Sequence, residues 1–369
     1  MSGGYDLIVI GGGLVGGAVA WGAARLGAQV AVLDEGDVAY RASRGNFGLV
    51  WVQGKGADLP PYAHWSRQSA EVWPRMAAAL GEETGVDVAL RQPGGLFFCY
   101  DEDEMRARAA LIQRMHNESG AAGVRMIDQA ELRLMVPEIG DAVVGASFSP
   151  IDGQANPLLL LRALQQGLAR HGGTYLPGRT VDGIASAGGT FTVRVGAERF
   201  NAAKLVVAAG LGSRRLAPMV GLDMPVTPLR GQVIVTERVR PFLDFATHTV
   251  RQTEEGSVML GDSQEEVGFD AGVTTPVLRQ IAARNLAAFP LLRDANVVRV
   301  WGALRVMTPD GYPIYEQSRS HPGAYAVTCH SGVTLAGAHA LVLARAIMAG
   351  ELPPSFDVFN SGRFHVQAA

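Results

Sequence analysis

The sequence has little of several features that define other classes of protein. Its 369 residues include only two cysteines, Cys99 and Cys329, far apart and in no CxxC pair. This pattern excludes a disulfide scaffold and a cysteine-built metal or iron–sulfur site. The net charge of −3, with the basic residues scattered, gives no basis for binding nucleic acid or an anionic membrane surface. No uncharged apolar run is long enough to span a membrane.

The composition is ordinary for a globular enzyme. The chain is 48% hydrophobic and 18% charged, and its length allows two domains around a large core. The first apolar stretch is broken by glycines and has no basic segment before it, which is not the pattern of a secretory signal peptide. We therefore expect a reducing, cytoplasmic location.

The clearest pattern lies between Tyr5 and Glu35. Two short apolar runs, Leu7–Ile10 and Val30–Leu33, have the composition of buried strands. An alanine-rich segment between them, Leu14–Leu26, predicts a helix, and it follows the glycine run Gly11–Gly16. The order is therefore strand, glycine turn, helix, strand, with an acid after the second strand.

Each part of this unit has a physical reason to bind a dinucleotide. Gly11 permits a tight turn, Gly13 lets the backbone approach a pyrophosphate, and Gly16 lets the helix pack closely on the strand. Asp34 lies where a carboxylate accepts from a ribose hydroxyl, and an acid at this position does not favour a 2′-phosphate. The alternative is a glycine-rich loop inside another α/β core. The predicted contacts are Gly11, Gly13, Leu14, Val15, Gly16, Asp34 and Glu35.

A polar, loop-like segment follows this unit. Its small, hydroxyl and basic residues are suited to holding phosphates beside a dinucleotide site, and an ordinary surface loop is the competing interpretation. The candidates in it are Arg41, Ala42, Ser43, Asn46, Phe47 and Gly48. A later apolar run ends in Ala208, Ala209 and Gly210, where small residues again allow close approach of the backbone to a nucleotide.

The remaining pattern predicts a mixed α/β fold. Beyond Gly221 the chain contains a series of strand-like runs, and one helix is predicted from Thr275 to Phe289. We expect a Rossmann-like dinucleotide-binding domain and a substrate domain built on an antiparallel sheet, both discontinuous in sequence. The predicted boundaries are 1–90, 145–222 and 305–369 for the first domain, and 91–144 and 223–304 for the second.

Two late stretches are candidates for chemistry. Arg305 ends an apolar strand, and a buried guanidinium needs a partner, either an internal acid or the carboxylate of a substrate. The second stretch contains Ser331, Gly332, Val333 and Thr334, and we expect it to lead into an uninterrupted helix from Leu335 to Ala349. The start of such a helix suits an anion or a ring that becomes anionic, such as reduced flavin. His330 beside it is either a structural histidine or a catalyst.

Several motifs occur in an order that resembles the D-amino-acid oxidase family of FAD enzymes. They are GGGLVGG with Asp34, AAG at 208–210, LRGQ at 229–232, WGALRVMTPDGYP at 301–313 and CHSGVTLA at 329–336. That family includes glycine oxidase, sarcosine oxidase and the β subunits of opine, D-hydroxyproline and cyanide-forming glycine dehydrogenases. The resemblance spans nearly the whole chain.

The resemblance implies non-covalent FAD and an amino acid substrate. It places FAD against Gly11, Gly13, Gly16, Asp34, Ser43 and Ala209, with its ring over the amides of Gly332, Val333 and Thr334. It also implies that Arg305 binds the substrate carboxylate, although Val306 replaces the proline that usually follows this arginine. The implied reaction is hydride transfer from the α-carbon to flavin N5, giving an imino acid that water hydrolyses.

Several alternatives stay open from the sequence. The enzyme is either an oxidase using oxygen or a dehydrogenase passing electrons to partner subunits or a quinone. A 2-hydroxy acid is an alternative to the small carboxylated amine as substrate, and a flavin-bearing β subunit active only in a hetero-oligomer is a third possibility. No acid–base residue is assigned; Gln53 and His64 are candidates only for lining the substrate cavity.

Overall fold

The computed structural model describes residues 4–36, 42–120 and 123–365, so the predicted contact Arg41 lies outside the described residues. The strands are β1 Tyr5–Ile10, β2 Val30–Leu33, β3 Leu49–Val50, β4 Gly95–Cys99, β5 Arg125–Asp128, β6 Gly145–Ser149, β7 Gly153–Gln154, β8 Thr174–Leu176, β9 Gly183–Ala187, β10 Thr190–Val195, β11 Glu198–Val207, β12 Thr227–Arg238, β13 Ala246–Thr247, β14 Val250–Gln252, β15 Ser257–Leu260, β16 Val297–Met307, β17 Ile314–Gln317 and β18 Ala324–Thr328.

The α-helices in the same residues are α1 Leu14–Arg25, α2 Pro60–Thr84, α3 Glu102–Ser119, α4 Gln129–Met135, α5 Pro157–Arg170, α6 Ser213–Leu216, α7 Thr275–Ala288, α8 Ala336–Ala338 and α9 Ala344–Ala349. A π-helical turn, His339–Leu343, joins α8 to α9. None of the described helices combines the length and the apolar composition that a membrane crossing requires.

The largest sheet has β1 at its centre. Its strand order is β17-β18-β11-β1-β2-β8, with β10 and β9 continuing from β11. Strand β1 pairs in parallel with both β2 and β11, and β11 pairs in parallel with β18. Leu7, Ile8 and Val9 are all fully buried, as expected for a parallel strand covered on both faces. The carboxyl ends of these strands therefore meet at one edge of the sheet.

The second region is built on shorter sheets. Strands β14-β15-β12-β16 form an antiparallel sheet in which β12 and β16 pair from Thr227↔Met307 to Thr236↔Val297. Helix α7 follows β15 in the chain and buries Ile281 and Ala288 in a cluster that includes Ile234 and Leu260. A further sheet has the order β13-β4-β6-β5. The predicted α/β class with an antiparallel sheet is confirmed, while the domain boundaries stay a prediction.

The structure differs from local sequence rules at two places. Helix α2 continues through Pro74, a residue that usually ends or kinks a helix, because Trp73, Met76 and Leu80 around it are buried and hold the helix by packing. The C-terminal helix begins at Ala336 and contains the π turn instead of being uninterrupted. Within that turn, the buried ring of His339 meets the Tyr315 hydroxyl at 2.7 Å, a tertiary contact that the local pattern does not reveal.

Candidate functional site

A cavity of about 770 Å³ lies at the carboxyl ends of β1, β2 and β11. This is the edge of an open parallel sheet at which ligands bind. Predicted residues that line it are Gly11, Gly13, Leu14, Val15, Asp34, Glu35, Ala42, Ser43, Asn46, Ala208, Ala209, Gly210 and Gly332. Lining residues that the sequence did not single out as cofactor contacts include Arg44, Leu158, Arg162, Tyr175, Arg179, Val181, Arg215, Phe269, Leu304 and Val306.

The turn after β1 can be built only with glycine. Gly11 has φ +104°, and a Cβ there would lie 2.4 Å from the Ala208 carbonyl oxygen. A Cβ on Gly16 would lie 1.9 Å from the carbonyl oxygen of Gly11. Gly16 therefore does not face the cavity. It lets α1 pack against the turn, which fixes where the helix begins.

Helix α1 begins beside the cavity without a side-chain cap of its own. Gly13 precedes it, and the first bond of the helical pattern runs from the Gly17 amide to the Gly13 carbonyl at 2.7 Å. The amide of Leu14 donates to the Ser43 hydroxyl at 2.9 Å, while the first-turn amides of Val15 and Gly16 have no acceptor within the helix. Amides at the positive end of a helix dipole are suited to phosphate oxygens.

Asp34 is held in a fixed orientation at the end of β2. One carboxylate oxygen accepts from the Gly12 amide at 2.7 Å, and the other accepts from the Gly36 amide at 2.9 Å. Each oxygen keeps a lone pair for a further donor, and Asp34 lines the cavity. The carboxylate can therefore accept from a ribose hydroxyl, as the spacing from the glycines predicts.

The segment before the C-terminal helix is anchored inward at two residues. The Thr334 hydroxyl donates to the Leu49 carbonyl and accepts from the Trp51 amide, both at 3.1 Å. The Val333 carbonyl accepts from the Trp73 indole at 2.9 Å. Both residues are buried and do not line the cavity, in contrast to Gly332. Thr334 and Val333 thus hold the segment in place, and Gly332 exposes the backbone to the cavity.

Arg305 lies between two lining residues but does not line the cavity itself. Its guanidinium donates to the Ser263 carbonyl at 2.8 Å and forms an ion pair with Asp262. A Cβ on Gly231 of the neighbouring strand β12 would lie 2.6 Å from the guanidinium, so glycine leaves the room that this side chain occupies. An internal acid is therefore present, and binding of a substrate carboxylate by Arg305 stays a prediction.

His330 lines the cavity as a neutral imidazole. Burial, with smaller contributions from the charges of Lys55 and Arg305, lowers its pKa to about 3. Its Nδ1 lies 3.0 Å from the Gly311 carbonyl, and its Nε2 lies 3.1 Å from the Ser331 hydroxyl. A carbonyl only accepts, so Nδ1 carries the proton and Nε2 accepts from Ser331. Both ring nitrogens are thus occupied.

Several other predicted residues serve the packing around the cavity instead of lining it. Phe47 and Gly48 lie beside Arg251, whose guanidinium donates to the Phe47 carbonyl at 2.8 Å. Gln53 is buried and accepts from Arg108 at 2.8 Å, and His64 is exposed, so neither lines this cavity.

A glycine turn, a free helix start and a fixed acid at one sheet edge define a dinucleotide-binding α/β protein. Residues 6–346 match the family model for DAO, FAD dependent oxidoreductase. The chain therefore belongs to the DAO family of FAD-dependent oxidoreductases, which confirms the predicted family, cofactor and enzyme class.

The chain is similar along its full length to curated relatives. It is 43% identical to the B subunit of opine oxidase from Agrobacterium tumefaciens (strain Ach5) over 366 residues, covering 99% of both chains. It is 25% identical to hydrogen cyanide synthase subunit HcnC of Pseudomonas aeruginosa, covering 99% of this chain and 97% of the relative. The crystal structure of glycine oxidase from Geobacillus kaustophilus superposes with a TM-score of 0.89 at 22% identity, covering 99% of both chains, and shares the fold.

The residues of the cavity fit FAD. The backbone cradle at Gly13, where a Cβ would lie 2.7 Å from the Ser43 hydroxyl, admits a pyrophosphate, and Asp34 is positioned for a ribose. The backbone at Ala208 and Gly210 also lies close to the cavity, and the backbone of Gly332 lines the same cavity. These residues would hold the cofactor through hydrogen bonds and close backbone contacts.

Proposed function

We propose that this chain oxidises the C–N bond of an N-substituted amino acid of the opine type. The observation that carries the proposal is the 43% identity to an opine oxidase B subunit across 99% of both chains. A 41% identical opine oxidase B subunit from Rhizobium meliloti, also covered over 99% of both chains, supports it. The cations near the cavity wall, Arg305 and Lys55, suit a carboxylated substrate.

The reaction removes a hydride from the α-carbon and releases a proton from the amine to solvent, leaving a C=N bond that water hydrolyses to an amine and a carbonyl compound. Bound FAD supplies the two-electron acceptor. Arg305 binds the substrate carboxylate through its guanidinium and so fixes the position of the α-hydrogen, which is where orientation lowers the barrier. His330 does not act as the base, since both its nitrogens are hydrogen-bonded.

We further propose that the chain is the flavin-bearing subunit of a hetero-oligomer. The opine oxidase relatives and HcnC are subunits by name and match nearly the whole chain. Electrons then leave through partner subunits or a quinone instead of oxygen. The cytoplasmic location stays a prediction.

The proposal is tested by anaerobic reduction of the flavin in the purified chain. Iminodiacetate and sarcosine are secondary amines, oxydiacetate is the matching ether without nitrogen, and lactate is a 2-hydroxy acid. We expect the amines to bleach the visible flavin absorption while the ether and lactate leave it unchanged. Bleaching by lactate and not by either amine would refute C–N oxidation. Turnover with oxygen alone, as fast as with an artificial electron acceptor, would refute the need for an electron-accepting partner.

A further inference from the structure

Lys55 is one of only two lysines in the chain, the other being Lys204, although lysine and arginine together number 32. It lies in the turn between β3 and α2, where its amide donates to the Val52 carbonyl at 3.0 Å. The side chain is half-buried. A residue that is rare in this chain therefore occupies a sheltered position next to the candidate site.

A chain of hydrogen bonds connects Lys55 to the cavity wall. Its ammonium donates to the Ser331 hydroxyl, which also accepts from the Tyr62 hydroxyl at 3.2 Å. Ser331 in turn donates to His330, which lines the cavity. One donor and two acceptor positions of Ser331 are thus in use, which fixes the direction of every bond in the chain. Lys55 has no other hydrogen-bond partner in the described part of the protein, so two of its three N–H groups remain.

The charge of Lys55 is also left without a direct counterion. Among residues 4–36, 42–120 and 123–365, no carboxylate lies at ion-pair distance from it. Asp152 is the nearby acid, and one of its oxygens accepts from the Val52 amide at 2.7 Å. Burial raises the pKa of Cys329 to about 12, so this neighbouring thiol is neutral and supplies no negative charge. A sheltered ammonium in this position is stabilised by an anion.

Two cations lie beside the wall of the cavity without lining it. Lys55 is connected to the lining residue His330 through Ser331, and Arg305 lies between the lining residues Leu304 and Val306. Arg305 already has Asp262 as an ion-pair partner, whereas the Lys55 ammonium is hydrogen-bonded only to a hydroxyl among the described residues. A substrate with a single carboxylate would occupy Arg305 and leave Lys55 unmatched.

We propose that Lys55 binds the second carboxylate of an opine-type substrate, a secondary amine with a carboxylate on each N-substituent. Arg305 binds one carboxylate and Lys55 the other. This assignment rests on the proposed function and deepens it, because it makes Lys55 the residue that selects dicarboxylated amines over N-methyl amino acids. The ammonium suits this role because it can donate to Ser331 and to a carboxylate at once.

The test uses two thioethers that carry no amine and cannot be oxidised at a C–N bond. Thiodiacetate has two carboxylates and (methylthio)acetate has one. Their dissociation constants are measured by calorimetry with the FAD-loaded chain. We expect the wild type to prefer thiodiacetate, and Lys55→Met to weaken thiodiacetate roughly 10- to 100-fold, the range of one charge-assisted hydrogen bond, while (methylthio)acetate changes less than about twofold.

Two further variants keep the test interpretable. Lys55→Arg retains the charge and should keep most of the preference, and Lys204→Met removes the other lysine and should keep all of it. Unchanged binding in Lys55→Met, equal weakening of both thioethers, or a wild type without preference would each overturn the assignment. If Lys55→Met loses FAD, Lys55→Gln replaces it in the same comparison.

The results distinguish a failure of the Lys55 assignment from a failure of the proposed C–N oxidation. A thiodiacetate preference that depends on Lys55, in a chain whose flavin no secondary amine reduces, supports the anion site and refutes C–N oxidation. Reduction by iminodiacetate and sarcosine with equal KM in the wild type and in Lys55→Met supports C–N oxidation and overturns the role of Lys55.

Discussion

The two parts of the candidate site differ in the kind of groups that form them. At the nucleotide end, close approach depends on backbone and small residues, namely Gly11, Gly13, Ser43 and Ala208–Gly210, with Gly16 behind the turn and the Asp34 carboxylate fixed beside it. The end that we propose for the substrate consists of charged and polar side chains, namely Lys55, Asp262, Arg305, His330 and Ser331. Backbone cradles tolerate almost no added atoms, whereas side-chain sites tolerate substitution and change in selectivity. Variation at the substrate end can thus alter the substrate while the cofactor stays bound.

The largest effect is expected at the nucleotide end. Gly16→Ala places a Cβ 1.9 Å from the Gly11 carbonyl oxygen, so we expect a loss of about 3 kcal/mol or more of stability and of most bound FAD. Gly17→Ala is the matched control, since its Cβ would meet only Leu164 at 3.5 Å. The ratio of flavin to protein absorbance and the Tm measure both variants. Equal FAD retention by the two variants would contradict the requirement for glycine at position 16.

A smaller, selective effect is expected for Arg305→Met. Loss of the carboxylate contact should raise KM for a carboxylated substrate roughly 100-fold, because a charge-assisted pair is lost. FAD content should not change, since Arg305 does not line the cavity. Steady-state turnover with an artificial electron acceptor at several substrate concentrations gives the KM. An unchanged KM would refute the assigned role of Arg305.

The substrate end should also respond to pH. Burial lowers the pKa of Lys55 to about 8, so the side chain is protonated below that value and neutral above it. The neighbouring Asp152, His330 and Cys329, with pKa values of about 6, 3 and 12, do not titrate near pH 8. Thiodiacetate affinity should therefore fall by about tenfold as pH rises from about 7 to about 9. Lys55→Arg should remove this pH dependence. If the thiodiacetate affinity of that variant falls with pH as it does in the wild type, a group other than Lys55 is responsible.

The smallest effect is expected at a helix that borders the nucleotide end. The Asn156 side chain accepts from the amides of Leu158 and Leu159 at 3.1 and 3.2 Å and so caps α5. Asn156→Ala should cost about 1 kcal/mol of stability. Thermal unfolding measures the loss, and the thioether dissociation constants serve as the control because they should not change. A change in ligand affinity would show that the two ends are coupled.

The contrast between the two ends also decides what can be predicted from the sequence. The turn at Gly11 and the start of α1 at Leu14 follow from the local sequence pattern and match the structure. Lys55 is not predictable in this way, because nothing near it in sequence is unusual and its partners Tyr62 and Ser331 come together only in the fold. The motif identifies Arg305 but not its partner Asp262, since a strand pattern does not reveal ion pairs across a loop.

The pairing order of the large sheet has a consequence for folding kinetics. Tyr5 of β1 pairs with Ala202 of β11, and Leu205 of β11 pairs with Ala324 of β18, so the central contacts of the sheet join segments that are distant in sequence. Such long-range pairing slows folding. During translation the N-terminal glycine turn is made early, yet Cys329, His330 and Gly332 of the same cavity are made late. The cavity is therefore complete only after β18 and the residues that follow it have been made. The edge of β1 that pairs with β11 stays unpaired until β11 is in place, which leaves it open to misassembly.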